Sequence, residues 1–294
     1  MMNRQPIPDD ATRTMLRSVS QAAAQIGETA FAPDFASEAN APLLQSMGIR
    51  AGSADARSAG EGNDAMAQQV TKWRDIVSQI GTEELRSLFS QSRVIPFSDW
   101  TDVHQAADLW YGLLADVIRP LARHDWEFIF YLGNPANSHF FDVDEILDVM
   151  GSFTRSGSVT LALDEREAWG LWSILFGGKA VPEFDTHDPD ARGRYRAIFQ
   201  TLDIRRLIIY SDDNAVLVMQ DSYFEITRPP VPAYVHNEYE RANFIEGYAL
   251  GLKTGLEPAH CLALGIATAG SVTVDGVPAR AAVLHFLSEW AGGI

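Results

Sequence analysis

The sequence predicts an α/β fold with a mainly parallel sheet and helices on both of its faces. Short apolar runs of strand length alternate along the chain with longer segments of helical periodicity, as in βαβ units. The run Trp126–Leu132 is apolar almost throughout, which is typical of a strand buried on both faces. The single cysteine, Cys261, excludes an intrachain disulfide.

Residues 1–64 are predicted to form a poorly defined N-terminal segment, and residues 65–294 an α/β domain. The N-terminal segment is rich in small and polar residues, with one weakly amphipathic helix expected at 14–26. The stretch 51–63 is rich in Gly, Ala and Ser, which indicates a flexible loop.

The first elements of the predicted domain lie between residues 82 and 132. Thr82 is followed by two glutamates, as at the start of a helix. A short strand is predicted at 93–97. A long helix at 103–121 follows, because apolar side chains recur there at helical spacing up to Pro120. The apolar run at 126–132 is the second strand.

The remaining elements continue the alternation. A helix is expected at 142–153 with Asp142 as its cap, and a strand at 158–163. Asp164 is then the N-cap of a helix that ends at a pair of glycines, 177–178. A helix at 190–202, a strand at 207–210 and a hairpin at 215–227 follow. Helices are predicted last at 238–253, at 258–270 and around 281–290, with Pro258 at a favoured first position.

The formal net charge of −16 argues against two classes of partner. A strongly acidic chain repels nucleic acid and anionic membranes. No apolar run approaches the ~20 residues that a membrane-spanning helix needs. The first residues lack the apolar region of a secretory signal, so we expect a cytoplasmic protein.

The segment 243–273 carries small and apolar residues at regular intervals. They are Phe244, Gly247, Gly251, Leu252, Gly255, Leu256, Leu264, Gly265, Ala267 and Thr268. This segment resembles the stretch after the catalytic motif in carbohydrate kinases of the PfkB, or ribokinase, type. Segments 126–135, 158–169 and 207–225 resemble that family's preceding strands in the same order. The resemblance implies a ribokinase-like fold.

The resemblance also implies where phosphoryl transfer would occur. In the family, a Gly-Ala-Gly run at the start of a helix donates backbone N–H groups to phosphate, and an Asp follows as the base. By register, the four positions are Tyr239, Glu240, Arg241 and Ala242. Ala242 occupies the base position. Tyr239, Glu240, Arg241 and Asn243 are therefore the candidates for nucleotide or anion binding.

Three further residues are implied as site candidates. Asn40 corresponds to the family's substrate motif. Asp164 and Glu167 correspond to an Asn-x-x-Glu sequence and are candidates for holding Mg²⁺, the ion that would accompany ATP. The alternative for this pair is local, because Asp164 is a helix N-cap and Glu167 an acid in the first turn.

Three functions fit the sequence. The first is a degenerate kinase, or pseudokinase, that binds a ligand or a partner with little or no phosphoryl transfer. The loss of a general base typically lowers a rate ~10²–10⁴-fold. The second is an active ATP-dependent sugar or nucleoside kinase with a rearranged site, in which Asp164, Glu167 or another acid acts. The third is a structural or interaction subunit whose acidic surface and extra helices mediate association. Separately, Trp73 and Trp290 lie in polar surroundings and are candidate contacts of a homo-oligomer.

Overall fold

The computed structural model describes residues 9–27, 44, 47–49, 72–100, 103, 105–131, 140–177, 189–229, 240–271 and 279–292. Within them, six strands form one sheet in chain order. The strands are β1 (Val94–Asp99), β2 (Trp126–Tyr131), β3 (Gly157–Asp164), β4 (Arg206–Tyr210), β5 (Asn214–Met219) and β6 (Ser222–Thr227). The helices are α1 (Asp10–Gln25), α2 (Trp73–Ile80), α3 (Thr82–Ser90), α4 (Ala106–Leu113), α5 (Phe140–Ser152), α6 (Glu165–Phe176), α7 (Ala191–Thr201), α8 (Glu240–Lys253), α9 (Pro258–Gly270) and α10 (Arg280–Gly292).

The sheet is parallel in its first four strands and antiparallel in its last two pairings. β1, β2, β3 and β4 pair in parallel, and β5 and β6 complete the sheet as a hairpin. Each parallel connection carries at least one helix, as a βαβ crossover requires. The predicted fold class is confirmed, and the four predicted parallel strands do share one sheet.

One face of the sheet is covered by the helices that connect the strands. Aromatic side chains from the strands and helices fill this layer. The rings of Phe97 on β1 and Phe130 on β2 stack with their centroids 4.3 Å apart, and Phe153 meets Phe97 edge-on at 5.5 Å. The Trp110 indole N–H donates to the Met47 carbonyl oxygen at 2.9 Å. This buried hydrogen bond gives the ring a polar partner inside an apolar core.

The other face of the sheet is covered by α8 and α9, and these are backed by α1 and α10. α8 and α9 approach closely because glycines lie between them. A Cβ atom at Gly247 would lie 2.3 Å from the Thr268 hydroxyl oxygen, and one at Gly251 would lie 2.8 Å from the Cys261 sulfur. Two of the glycines that carry the family resemblance are therefore packing glycines.

Several predicted boundaries differ from the structure. The helix expected at 103–121 is α4, which continues as a π-helical turn over Leu114–Ile118 and a 3₁₀ turn over Arg119–Leu121. Pro120 has no backbone N–H, so the regular helical hydrogen bonding does not extend through it. α5 begins at Phe140, and Asp142 lies inside its first turn rather than at its cap. Helix α2 was not predicted.

The tryptophans predicted as subunit contacts are both buried within the chain. The Trp73 indole N–H donates to the Asp116 carboxylate at 2.6 Å. Trp290 is 7% exposed and packs beneath α1, in the apolar core between the sheet and helices α8, α9, α1 and α10, which we call the second core. Neither side chain is available to a partner, so that expectation is wrong.

The N-terminal part of the chain is partly described. α1 covers nearly the range of the helix predicted at 14–26, and its Leu16, Val19 and Ala23 are fully buried. The segment 51–63, predicted as a flexible loop, lies outside the described residues, and the division at 64/65 stays a prediction. In the described ranges, no helix has the length and apolar character needed to cross a membrane.

Candidate functional site

Four elements bring their ends together at the carboxyl edge of the parallel strands. β2 ends at Tyr131, β3 at Asp164 and β4 at Tyr210. α8 begins beside them at Glu240. The Glu240 side chain contacts Tyr210, and the Arg241 side chain contacts Asp164 and Tyr131. This is the edge at which open α/β sheets bind their ligands.

Asp164 and Glu167 form a capping box at the start of α6. The Glu167 backbone N–H donates to Asp164 Oδ1 at 2.8 Å, and the Asp164 backbone N–H donates to Glu167 Oε2 at 2.8 Å. Both bonds satisfy donors that the helix itself leaves open. The local interpretation of this pair is therefore observed directly.

Arg241 connects α8 to that capping box. Its guanidinium group pairs with the Glu167 carboxylate and lies 3.5 Å from Asp164 Oδ2. The same group lies over the ring of Tyr131, 3.5 Å from its centroid. One cation thus contacts both carboxylates and an aromatic face, a combination that suits the planar guanidinium.

Glu240 belongs to a second and more deeply buried cluster. Its Oε1 accepts a hydrogen bond from the Tyr210 hydroxyl at 2.5 Å and pairs with the Arg228 guanidinium. The Arg228 side chain is 1% exposed, lies over the Tyr210 ring at 4.3 Å and donates to the Ser211 carbonyl at 2.5 Å. The Glu240 carboxylate is therefore a buried anion whose charge is balanced inside the protein.

Burial and neighbouring acids raise the pKa of two carboxyl groups at this edge. For Asp164, burial raises the pKa above its ordinary value, and the Asp212 carboxylate adds to the effect. For Glu165, burial raises the pKa and Asp213 and Asp212 raise it further. Burial also raises the pKa of the Tyr210 hydroxyl strongly. Asp164 and Glu165 are therefore harder to ionise than exposed carboxyl groups are.

The last two candidates lie in the first turn of α8. Ala242, at the position that the resemblance assigns to the catalytic base, has no group that could accept a proton. Asn243 is 2% exposed, and its side-chain nitrogen makes no hydrogen bond within the described residues. Tyr239 and Asn40 lie outside the described residues, so their predicted roles stay predictions.

The comparison with protein families decides the assignment of the chain. The model of the prokaryotic ketohexokinase family matches residues 34–290. The chain belongs to this family. Among curated proteins, no sequence matches it.

Solved structures of sugar and nucleoside kinases are similar to this chain. A probable sugar kinase from Rhizobium etli matches with 20% identity over 74% of this chain and 59% of its own, at a TM-score of 0.51. An Arabidopsis thaliana ribokinase complexed with ribose and ATP matches with 14% identity over 70% and 59%, at 0.49. An adenosine kinase from Sinorhizobium meliloti matches with 19% identity over 65% and 52%, at 0.47.

This ketohexokinase-family chain spans about half to three fifths of the length of those solved structures. The similarity to the Rhizobium etli structure supports the ribokinase-like fold. At 20% identity it does not extend to activity. The resemblance read from the C-terminal segment is confirmed by the family match.

The carboxylates proposed for Mg²⁺ do not fit that ion well in this arrangement. Asp164 uses one oxygen as a helix cap and turns the other toward Arg241. Glu167 Oε2 both accepts the Asp164 N–H and pairs with Arg241. The described residues contain no group of three His, Cys, Asp or Glu side chains that could hold a metal ion. Mg²⁺ at this pair stays a prediction that requires Arg241 to move.

Sequence reasoning missed Arg228 and Tyr210. Both lie at strand ends, Tyr210 as the last residue of β4 and Arg228 directly after β6. A cation between a β-strand and the two prolines that follow it in the sequence was a usable signal, since a buried Arg needs an anionic partner. The partner itself, Glu240, was named only as a possible anion-site residue.

Proposed function

We propose that this chain is a PfkB-like pseudokinase of the ketohexokinase family, which binds a sugar-like ligand or a partner with little or no phosphoryl transfer. The observation that carries the proposal is the start of α8. Where the resemblance implies glycines and a catalytic Asp, the chain has Glu240 in a buried ion pair and Arg241 on the capping box. Ala242 follows at the base position.

The electrostatics at this helix start do not favour a nucleotide phosphate. A phosphate bound there would approach the buried ion pair of Glu240 and Arg228, which offers the phosphate no net positive charge. The cation next to Glu240 in sequence, Arg241, already contacts Glu167, Asp164 and Tyr131. We therefore expect weak or absent ATP binding, although ATP is the donor that the family implies.

The absence of a base at position 242 opposes turnover independently. A sugar hydroxyl needs a proton acceptor within hydrogen-bond reach in order to attack a phosphoryl group. Losing the base costs ~10²–10⁴-fold, and losing the anion donors roughly a further 10²–10³-fold. These losses need not add, but either one places the rate far below that of an efficient kinase.

The test has a binding arm and a turnover arm. Calorimetry measures the affinity for ATP with Mg²⁺, and a coupled assay measures ADP release with a ketohexose, with ribose and with adenosine. We expect no turnover above background. The variant Tyr239→Gly, Glu240→Ala, Arg241→Gly, Ala242→Asp should gain ATP binding. Ala242→Asp alone should not, because it leaves Glu240 in place.

A second variant tests the carboxylate pair without disturbing Glu240. Arg241→Ala removes the guanidinium from Asp164 and Glu167, so the pair should gain measurable affinity for Mg²⁺ or Mn²⁺. Arg119→Ala, which removes an exposed arginine elsewhere, is the matched control and should gain none.

One result would replace the proposal with the second hypothesis. Robust turnover by the unmodified chain, abolished by Asp164→Asn or Glu167→Gln, would establish an active kinase with a rearranged site. Thermal unfolding of every variant separates a loss of function from a loss of folding.

A further inference from the structure

The outer edge of the sheet is formed by β6, beyond which no further strand lies within the described part of the chain. Along β6, Glu225 is exposed and Tyr223 is half-buried. The strand contains no lysine or proline, the residues that commonly protect an edge against pairing. The opposite edge differs, because Ile49 forms a β-bridge to Phe97 on β1.

The register of the hairpin shows which backbone groups of β6 face outward. Met219 and Ser222 flank a two-residue turn and therefore form a hydrogen-bonded pair, after which such pairs alternate along the ladder. The Arg228 N–H donates to the Asp213 carbonyl at 2.8 Å, in phase with this alternation. The backbone groups of Tyr223, Glu225 and Thr227 therefore point away from β5.

The side chains of β6 divide between the two faces of the sheet. Phe224 and Ile226 pack in the core beneath α8 and α9. Tyr223 packs on the opposite face, where the guanidinium groups of two α7 arginines lie over its ring. The Arg192 group is 4.3 Å and the Arg196 group 5.6 Å from the ring centroid. The α7 side of this edge is thus cationic around Tyr223 and anionic at Glu225.

We propose that β6 is a homodimer interface, at which two copies of this chain pair their β6 strands antiparallel about a two-fold axis at Phe224. Such pairing is isologous and closes after two copies. In this arrangement the outward N–H and C=O groups of Tyr223 form hydrogen bonds with those of Glu225 in the second copy. By symmetry, Glu225 forms the same hydrogen bonds with Tyr223 of the second copy. The two six-stranded sheets become one continuous sheet.

Charge selects this register over its neighbours. Two residues directly opposite each other in an antiparallel pair have their side chains on the same face of the sheet. Since side chains alternate between the faces along a strand, the two-fold axis must pass through a residue of β6 and not between two residues. An axis at Glu225 places two carboxylates opposite each other. An axis at Tyr223 places Glu225 opposite Asp221 of the second copy. Only the axis at Phe224 places Glu225 beside Tyr223, Arg192 and Arg196 of the second copy.

The first test measures the oligomeric state of the full chain by sedimentation velocity over a range of concentrations. The unmodified chain should be a dimer. Glu225→Lys should weaken dimerisation about tenfold or more, because a cation would face two arginines. Glu225→Gln keeps the acceptor for the Asn214 side chain, which donates to Glu225 at 3.0 Å, and should weaken the dimer less. Glu289→Lys, the same change on exposed α10, should leave it intact.

Charge reversal on both sides should restore the interface. Arg192→Glu with Arg196→Glu should weaken the dimer, and adding Glu225→Lys to that pair should strengthen it again. If the unmodified chain is a monomer at every concentration, the homodimer proposal is wrong. That result would instead favour a strand of a different protein as the partner of this edge. Equal effects of Glu225→Lys and Glu289→Lys would also overturn it.

The second test reads the register directly. The two Cα atoms at the axis should lie about 4.5 Å apart in a non-hydrogen-bonded pair, within disulfide reach. Phe224→Cys should therefore form a disulfide-linked dimer on mild oxidation. Tyr223→Cys and Glu225→Cys should link much more slowly, and the buried native Cys261 supplies the background. Fastest linking at 223 or 225 would overturn the register.

Discussion

Glu240 and Arg241 are adjacent in the chain but serve different partners. Glu240 pairs with Arg228 and Tyr210 below α8, whereas Arg241 reaches the acids at the end of β3. Each charge is balanced by the protein rather than left open for a ligand. This pairing supports the proposed pseudokinase, since an efficient phosphoryl-transfer site directs its donors at the charge that develops on the phosphoryl oxygens.

Glu165 provides a pH prediction at the residue scale. Burial and Asp213 raise its pKa above the ordinary value of 4.5 in the folded chain. Between the ordinary and the raised pKa, the folded chain holds a proton that the unfolded chain has released, so this group's contribution to stability falls as pH rises. The free energy of unfolding of Glu165→Gln, relative to the unmodified chain, should therefore increase with pH through this range.

The measurement is denaturant unfolding at a series of pH values across the acid range. Gln can still accept the hydrogen bond from Ser211, so the comparison isolates the charge. Glu84→Gln, the same change at an exposed position on α3, is the matched control for replacing a Glu by Gln. A difference for Glu165→Gln that does not change with pH would contradict the prediction.

At the scale of elements, α8 and α9 depend on how closely two helices can approach. Gly247 faces Thr268 and the Leu264 carbonyl, and Gly265 faces the Phe244 carbonyl. Backbone atoms cannot move aside as a flexible side chain can. Close packing of α8 on α9 holds the N-terminus of α8 at the edge of the sheet. The glycines therefore help to position the candidate site, although they are not part of it.

Gly247→Ala should destabilise the chain by about 1–3 kcal/mol, because its Cβ would lie 2.8 Å from the Leu264 carbonyl oxygen and closer still to Thr268. Gly193→Ala on α7 is the matched control, since nothing lies within 4 Å of its added Cβ. That control should be neutral or more stable by roughly 0.5–1 kcal/mol. Chemical denaturation measures both, and equal effects would show that helix propensity rather than packing decides.

At the scale of the whole molecule, the chain ends pack together. α1 lies on α10 and α9, so the first described helix covers the last one. α1 precedes residue 34, where the family match begins. Helix α1 therefore lies outside the matched region, and its apolar face covers one side of the second core.

Deleting residues 1–27 should destabilise the remaining chain and expose the apolar faces of α9 and α10. Two fully buried side chains, Leu16 and Val19, contribute ~1.5–3 kcal/mol each on burial, so a loss of roughly 3–6 kcal/mol is expected. Thermal and denaturant unfolding measure it. Leu16→Ala should reproduce part of the loss and Ser18→Ala, on the exposed face, almost none. An unchanged stability after deletion would contradict the packing role of α1.

The sequence by itself determined the strands and most of the helices, because apolar periodicity and capping are local properties. The family resemblance included the glycines that pack α8 against α9, and it places Ala242 at the family's base position, which stays a prediction. Only the tertiary structure decided which charges meet. Arg241 and Glu167 are 74 positions apart in the chain, and Arg228 and Glu240 are brought together by the return of the chain to the sheet edge. Such pairs depend on how distant segments close on one another, which no local pattern encodes.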